Sequence, residues 1–272
     1  MIPRDWLRTA TDRLTAIADA DAAADALLLL THATGLPRHK IRLEQADLPD
    51  GILKRLENTL SRRLTGEPVQ YILGEAWFLG RAFYVDGRCL IPRFDTEILV
   101  EEALRLLKGA ENPRVLDLCC GSGCIGLSIK AERPDASVTL ADVDRGALEV
   151  SRINGEKLGV SAEYAQTDLF SRLSGRTFDL ICCNPPYIPD GDADQLDEIV
   201  RREPALALFG GADGLDFYRR LRQEAPEHLK PGGHLVMEIG IHQAEDIRRL
   251  FGDIPILPDL AGIPRTAVWH KE

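Results

Sequence analysis

The sequence predicts an α/β protein, a mostly parallel sheet covered by helices on both faces, with a small helical domain in front of it. Three observations predict this. From Arg114 onward, short apolar strands alternate with helical stretches. The first of those strands, Val115–Cys119, runs into a glycine loop and then a helix. Ahead of it, apolar residues recur at helical rather than strand spacing.

The elements follow in order. Trp6 to Ala18 carries Leu7, Ala10, Leu14 and Ile17 on one helical face. Ala22 to Thr34 is rich in Ala and Leu and stops at Gly35-Leu36-Pro37. A third helix is expected from Gly51 to Thr65, ending at Gly66-Glu67-Pro68. Two aromatic-rich runs, Ala76–Leu79 and Ala82–Val85, flank Gly80-Arg81 and read as a β-hairpin linking the helical domain to the rest. Leu90–Glu97 then enters a helix, with Asp95 or Thr96 expected as its N-cap. Further strands are expected at Val138–Asp142, Glu163–Gln166, Asp179–Cys183, His234–Ile239, Ile254–Leu257 and Thr266–His270. Helices are expected between them at Cys124–Ala131, Arg145–Leu158 and Leu215–Leu229. This divides the chain into a helical domain over residues 1–73, a hairpin linker over 74–91 and the α/β domain over 92–272.

A chain of 272 residues, 44% hydrophobic and 28% charged, is long enough for two packed cores. The net charge of −10 argues against a broad phosphate-binding surface, so no direct nucleic-acid partner is expected. No apolar run approaches the roughly 20 residues that span a bilayer, so a cytoplasmic protein without a membrane partner is expected. Six cysteines, Cys89, Cys119, Cys120, Cys124, Cys182 and Cys183, lack ligand spacing. No metal is expected; they read as small apolar side chains in a reducing compartment.

Two loops carry chemistry. In Asp117-Leu118-Cys119-Cys120-Gly121-Ser122-Gly123 the glycines permit a tight turn and close ligand approach at a helix N-terminus. Gly121 to Gly126 matches GxGxxG, and Asp142 follows Gly123 by 142 − 123 = 19 residues, placed to accept both hydroxyls of a ribose. NAD and S-adenosylmethionine both fit so far, and Asp142 also reads as a loop-capping carboxylate. Asp117 favours a cationic ligand over a pyrophosphate. Asp168 is placed either to accept from an adenine amino group or to cap the next helical turn.

The second loop, Asn184-Pro185-Pro186-Tyr187, follows the fourth strand of the sheet, at the point where open α/β sheets bind ligands. It fits methyl transfer to a planar amide or aromatic amino nitrogen, a poor nucleophile because its lone pair is delocalised. The Asn184 side-chain carbonyl accepts one N–H and the Pro185 backbone carbonyl the other. Proline fixes φ, which makes the second acceptor rigid. Tyr187 is expected to pack on the planar face of the substrate group. On this reading Asn184, Pro185 and Tyr187 are catalytic, and Asn184, Pro185, Pro186 and Tyr187 hold the substrate.

Taken together, these segments resemble the protein-(glutamine-N5) methyltransferases that modify peptide-chain release factors. The resemblance spans nearly the whole chain. It rests on Glu67-Pro68-Val69-Gln70-Tyr71-Ile72-Leu73-Gly74, Leu90-Ile91-Pro92-Arg93-Phe94-Asp95-Thr96-Glu97, the Asp117–Gly123 loop and Asn184–Tyr187. Glu203-Pro204, Gly232-Gly233 and Glu238-Ile239-Gly240 fit as well. It implies a Rossmann-like S-adenosylmethionine-dependent methyltransferase domain with a mostly parallel seven-stranded sheet. It further implies S-adenosylmethionine binding by Cys119, Cys120, Gly121, Ser122, Gly123, Asp142 and Asn184. Leu169 matches a cofactor-lining position that is aromatic in some members. The implied target is the glutamine of a Gly-Gly-Gln loop in a class 1 release factor, gripped with help from the helical domain, and the enzyme is expected to act as a monomer. Arg93–Glu97 is expected near the cofactor pocket.

Two positions depart from the family pattern. Cys119-Cys120-Gly121 stands where Gly-Thr-Gly is common, so Cys119 is expected to avoid positive φ and to alter the loop slightly. Phe94 stands where proline is usual. The Asn-Pro-Pro-Tyr loop by itself also suits a ribosomal-protein glutamine or a nucleobase amino group; the run Asp95-Thr96-Glu97 favours the release-factor branch by resemblance. An NAD-dependent oxidoreductase would use GxGxxG but leave Asn184–Tyr187 unexplained. A non-catalytic binding module would leave an intact reacting loop without a role.

Overall fold

A computed structural model describes residues 1–16 and 21–272. They form two compact units, Met1–Glu75 with Leu196–Arg202, and Ala76–Gln195 with Glu203–Glu272. Helix α1 (Pro3–Leu14) carries a proline in its first turn, where no N–H is needed. It begins ahead of the expected Trp6, and the expected end at Ile17 and Ala18 lies outside the described residues. The Asp21 side chain caps α2 (Ala22–Thr34) by accepting the Ala24 N–H at 3.1 Å, and Gly35 closes the helix at φ 70°. Helix α4 (Asp50–Leu64) matches the third expected helix to within a residue. The short α3 (Arg38–Ile41) and α5 (Val69–Leu73) were not legible, being too brief to show a period.

Trp6, Leu14, Leu29, Leu30, Leu56 and Leu60 pack into one core in this unit. α2 is apolar nearly all round, so its one buried charge, Asp25, must be paired. Arg63 of α4, 1% exposed, supplies the partner, donating from Nε to Asp25 Oδ2 at 2.6 Å. Arg63 also donates to the Glu67 carbonyl at 3.2 Å, at the entry to α5.

The hairpin belongs to the second unit rather than linking the two. Strands β1 (Ala76–Phe78) and β2 (Arg81–Phe83) pair Phe78 with Arg81, so the turn is Leu79-Gly80, one residue before the expected Gly80-Arg81. Both turn residues have positive φ, 46° and 71°, as a twisted two-residue hairpin requires. Phe78 and Phe83 are buried in the same core as Leu99, Leu127 and Leu140, and the Tyr84 N–H donates to Asn154 Oδ1 at 2.6 Å. Phe78 and Phe83 thus anchor the hairpin by packing, while Trp77 of β1 is exposed.

A single 3₁₀ turn, Phe94–Thr96, leads into α6 (Glu97–Leu106). Neither expected residue caps α6: Thr96 already has helical φ and ψ, and its hydroxyl is engaged elsewhere. The sheet then forms from β3 (Arg114–Leu118), β4 (Ser137–Asp142), β5 (Glu163–Gln166), β6 (Phe178–Cys183), β7 (Leu229–Glu238), β8 (Ile256–Pro258) and β9 (Pro264–His270). Its order is β5-β4-β3-β6-β7-β9-β8, parallel from β5 to β7, with β9 antiparallel to both neighbours. The seven strands match the expected set. Helices α7 (Cys124–Glu132) and α8 (Arg145–Leu158) cross over on one side, and α9 (Asp216–His228) and α10 (Ala244–Phe251) lie with the other core.

Strand alternation sorts the side chains between two cores. Val115, Leu180, Cys182 and Val236 enter the core with α6 and α7, while Leu116, Ile181, Cys183 and Leu235 enter the core with α9 and α10. Adjacent Cys182 and Cys183 thus face opposite sides, both fully buried, and burial raises both thiol pKa values well above the ordinary range. Among the described residues no helix is long and apolar enough to cross a membrane.

The buried pair in the helical unit generates a prediction. Arg63→Leu strands the Asp25 carboxylate in an apolar core and should destabilise that unit by about 3–5 kcal/mol. Urea unfolding of the intact protein, followed by circular dichroism, checks this; an unchanged midpoint would show that the pair is dispensable.

Candidate active site

Strand β3 pairs with β6 so that Leu118 lies beside Cys183, and the loops leaving both strands diverge from this point. The first loop contains three left-handed residues, Cys119 (φ 55°), Gly121 (φ 53°) and Gly123 (φ 80°). Cys119 therefore adopts the conformation it was expected to avoid. The turn from β3 into α7 imposes it, because the Cys120 N–H must reach the Ala141 carbonyl at 3.1 Å while the Gly123 N–H returns to the Cys120 carbonyl at 2.7 Å. Gly123 admits no side chain: a Cβ there would stand 2.8 Å from Leu140 Cδ2 and 2.9 Å from Ser151 Cβ.

The end of β4 secures this loop. Asp142 Oδ2 accepts the Gly121 N–H at 2.9 Å, and Oδ1 accepts the Asp144 N–H at 2.9 Å. Asp142 thus caps the loop, one of its two expected readings, and it also lines the cavity. Burial raises its pKa, opposed by these N–H bonds. Asp117 does not reach a ligand directly. It is fully buried beneath α7, where Oδ2 accepts the Gly126 N–H at 2.8 Å and Oδ1 has no partner. Burial pushes its pKa up to about 7.

The cavity between the loops spans about 840 Å³, its open mouth included. Leu90, Ile91, Pro92, Val143 and Ala147 supply apolar walls; Cys119, Cys120, Gly121, Ser122, Asp142 and Asn184 supply the loop side. Arg93 and Thr96 also line it, as the expectation for Arg93–Glu97 requires. Glu203, almost fully buried, ties the wall together by accepting the Ile91 N–H at 2.9 Å and ion-pairing with Arg93. Its partner segment contributes Pro204, Leu206 and Ala207 to the opposite wall.

Four expected residues have side chains outside the cavity lining. Leu169 (φ 45°) is buried with Phe170 and Leu173 and is not a cavity wall. Asp168 is exposed, is not among the residues lining the cavity, and is ion-paired to Arg220 at 2.7 Å. Pro185 is buried beside the wall that Asn184 and Pro186 form. Tyr187 does not line the cavity; its ring packs beside Gly240 and its hydroxyl donates to Glu238 Oε1 at 3.3 Å. Burial and the Glu238 charge both raise the Tyr187 pKa, so its hydroxyl stays protonated.

Asn184 sits where the two loops meet. Its Nδ2 donates to Thr96 Oγ1 at 3.4 Å, and Thr96 Oγ1 donates to Glu238 Oε2 at 2.5 Å. The loop behind it is pinned on both sides. The Ile188 N–H reaches the Leu208 carbonyl at 2.9 Å, and Gln243 Nε2 donates to the Tyr187 carbonyl at 2.9 Å. Gly210 leaves no room for a Cβ, which would stand 2.5 Å from the Pro186 carbonyl oxygen. Glu203 and Glu238 were present in the sequence reading only as members of resembling segments, and Thr96 only as such and as a candidate helix cap. Nothing in their local spacing signals that they meet here, because they lie on separate elements.

Comparison with known proteins bears on this arrangement. A family model described as the methyltransferase small domain matches residues 94–211, and one described as the PrmC N-terminal domain matches residues 5–74. A release factor glutamine methyltransferase of Neisseria gonorrhoeae is 43% identical over 82% of this chain and 83% of its own length. One of Moorella thermoacetica is 38% identical over 100% of this chain and 99% of its own. The chain belongs to the release factor glutamine methyltransferase family. Among solved structures, a T. thermophilus 16S rRNA N2 methyltransferase in complex with AdoMet and guanosine aligns with a TM-score of 0.53. It is 20% identical, over 73% of this chain and 50% of that one, which shows the shared fold.

The strained cysteine of this family member yields a direct test. Cys119→Gly and Cys119→Ala both remove the thiol, but only alanine keeps the Cβ that opposes φ 55°. The glycine variant should be the more stable by about 1 kcal/mol. Thermal unfolding of the two side by side decides it; equal stability would mean the loop relaxes without strain.

Proposed function

We propose that this protein transfers a methyl group from S-adenosylmethionine to the side-chain amide nitrogen, N5, of the glutamine in the Gly-Gly-Gln loop of class 1 peptide-chain release factors. The observation that carries the proposal is the meeting of the Asn184 amide with the Asp142-anchored glycine loop in one cavity, in a chain of this family. The helical unit serves protein-substrate recognition, and the enzyme acts as a cytoplasmic monomer.

The donor set fits the cofactor. Asp142 presents carboxylate oxygens suited to ribose hydroxyls, and the apolar walls suit a purine. The α7 N-terminus suits a carboxylate. A dinucleotide fits less well. Both cavity-lining arginines, Arg88 and Arg93, are ion-paired, to Asp86 and Glu203, so a pyrophosphate would meet neutralised cations. When bound, S-adenosylmethionine supplies an electrophilic methyl group on its sulfonium and leaves as S-adenosylhomocysteine.

The chain's own residues do the rest. The Asn184 Oδ1 and the Pro185 carbonyl accept the two N–H groups of the glutamine amide, which turns its lone pair toward the cofactor side of the cavity. Because Nδ2 of Asn184 already donates to Thr96, Oδ1 is the atom left for substrate. With the cofactor bound, the amide nitrogen would take the methyl group as the methyl–sulfur bond breaks, and the proton would then leave the strongly acidic N-alkylated amide for water. No strong general base is required. Orientation of this kind contributes about 7–11 kcal/mol in favourable cases.

Calorimetry with S-adenosylhomocysteine and with NADH, followed by methyl transfer from labelled cofactor to purified release factor, tests the reading. S-adenosylhomocysteine should bind and the label should appear on the Gly-Gly-Gln loop. Binding of NADH alone, or label on nucleic acid or a ribosomal protein alone, would overturn it. Asn184→Ala should lower kcat by at least about 100-fold in a folded protein, comparable to the loss of one transition-state hydrogen bond.

A further inference from the structure

An amide side chain can present either of two ends, an acceptor oxygen or a donor NH₂. Only the oxygen suits an N–H of the substrate, so the orientation of Asn184 decides whether the site works. Nothing in the Asn-Pro-Pro-Tyr loop alone fixes it. The hydrogen-bond chain behind the loop does. Glu238 Oε2 receives the Thr96 hydroxyl at 2.5 Å, and Oε1 receives the Tyr187 hydroxyl at 3.3 Å. An ionised carboxylate can only accept. Thr96 must therefore spend its single proton on Glu238, which leaves its oxygen able only to accept from Asn184. At 3.4 Å that neighbour must be Nδ2.

We propose that Glu238 is a positioning residue that acts through Thr96 to hold Asn184 with its oxygen toward the reacting nitrogen. The inference rests on the methyltransferase reading above and extends it beyond the loop. Protonation of Glu238 at Oε2, the oxygen bonded to Thr96, reverses the logic. The carboxylic acid donates to Thr96, Thr96 donates forward, and Asn184 rotates to offer an NH₂ that repels the substrate N–H. Ionised Glu238 is thus required, and turnover falls as pH drops through its pKa.

The surroundings place that transition above the ordinary carboxylate range. Glu238 is 2% exposed, and burial raises its pKa; the Thr96 and Tyr187 hydroxyls oppose the rise. Arg265 of β9 also opposes it, although Arg265 is shared with Asp95 at 3.4 Å and Asp259 at 3.5 Å. Asp95, on the turn before α6, raises it further. Tyr218 of α9 donates to the Glu238 backbone carbonyl at 2.8 Å, and the Cys124 thiol of α7 stays neutral through burial.

The test measures kcat against pH for the wild type and four variants, with S-adenosylhomocysteine calorimetry on each to show an assembled site. Thr96→Val removes the relay and should lower kcat roughly 10- to 100-fold, the usual cost of losing an outer hydrogen-bond partner. Thr96→Ser keeps the hydroxyl and should stay within about 3-fold of wild type. Glu238→Gln cannot titrate, so the acid limb of the kcat profile should vanish. Tyr187→Phe removes one donor to the carboxylate, so the limb should move to higher pH. The proposal is overturned if Thr96→Val retains kcat within about 3-fold, or if the acid limb persists in Glu238→Gln. Should Thr96→Val fail to bind S-adenosylhomocysteine, the Glu238→Gln profile decides alone. A wild type without turnover on any release factor would instead overturn the underlying function, and is told apart because it appears before any variant is made.

Discussion

The parallel pairing of β3 with β6 is the constraint on which the rest depends. Crossovers carry the chain outward from β3 to β4 and β5, then back across β3 to β6 and β7. Right-handed connections on both faces leave a crevice where the direction reverses. Leu118 and Cys183 end side by side there, and each opens a loop whose chemistry needs the other. The glycine loop is anchored there by Asp142 from the end of β4, and Asn184 of the second loop lines the same cavity. Neither has use for its neighbour anywhere else in the sheet. The burial of Val115, Leu116, Leu180 and Ile181 on both faces is what makes this register stiff.

Holding the loops so close is costly, and the costs fall on identifiable residues. Cys119 takes a left-handed φ, and Asp117 is buried with one oxygen unpartnered. Each is about 1–3 kcal/mol unfavourable by general experience. Broad packing offsets them. Glu203 joins the Ile91–Arg93 wall to the segment behind the second loop, and Gln243 bridges the Tyr187 and Gly214 carbonyls. Strain concentrated at a site and compensated around it is the expected pattern for a functional constellation.

Much of this was legible because strands and loops announce themselves locally. Alternating apolar strands, the glycine loop and Asn184–Tyr187 each occupy a few consecutive residues, and the seven strands with α7, α8 and α9 follow from them, whereas α10 was not expected. What stayed hidden is what depends on distance. Asp117 was read as ligand-facing because its position at a strand end is visible, whereas its burial under Gly126 is a tertiary fact. Tyr187 was read as a stacking face, but its hydroxyl is claimed by Glu238, 51 residues away. Leu169 was placed by resemblance, and its burial with Phe170 and Leu173 is another tertiary fact. Cys119 shows the converse. Propensity argued against positive φ, and two hydrogen bonds of the turn overrode it.

The polarity of the site explains why its key charge lies outside the cavity. A primary amide presents two donors at its nitrogen, so the enclosing protein must present two acceptors and no competing donor. A carboxylate placed in direct contact would accept well but would also hold a full charge beside the reacting centre, where it would compete for the same cationic cofactor. A neutral asparagine avoids this but introduces ambiguity, because its two ends differ little in shape. Setting the carboxylate two hydrogen bonds back resolves the conflict. Glu238 transmits only direction, through Thr96, and the nearby charge of Arg265 favours its ionised form. Such a chain is all or none: each hydroxyl has one proton, so fixing the first bond fixes the last.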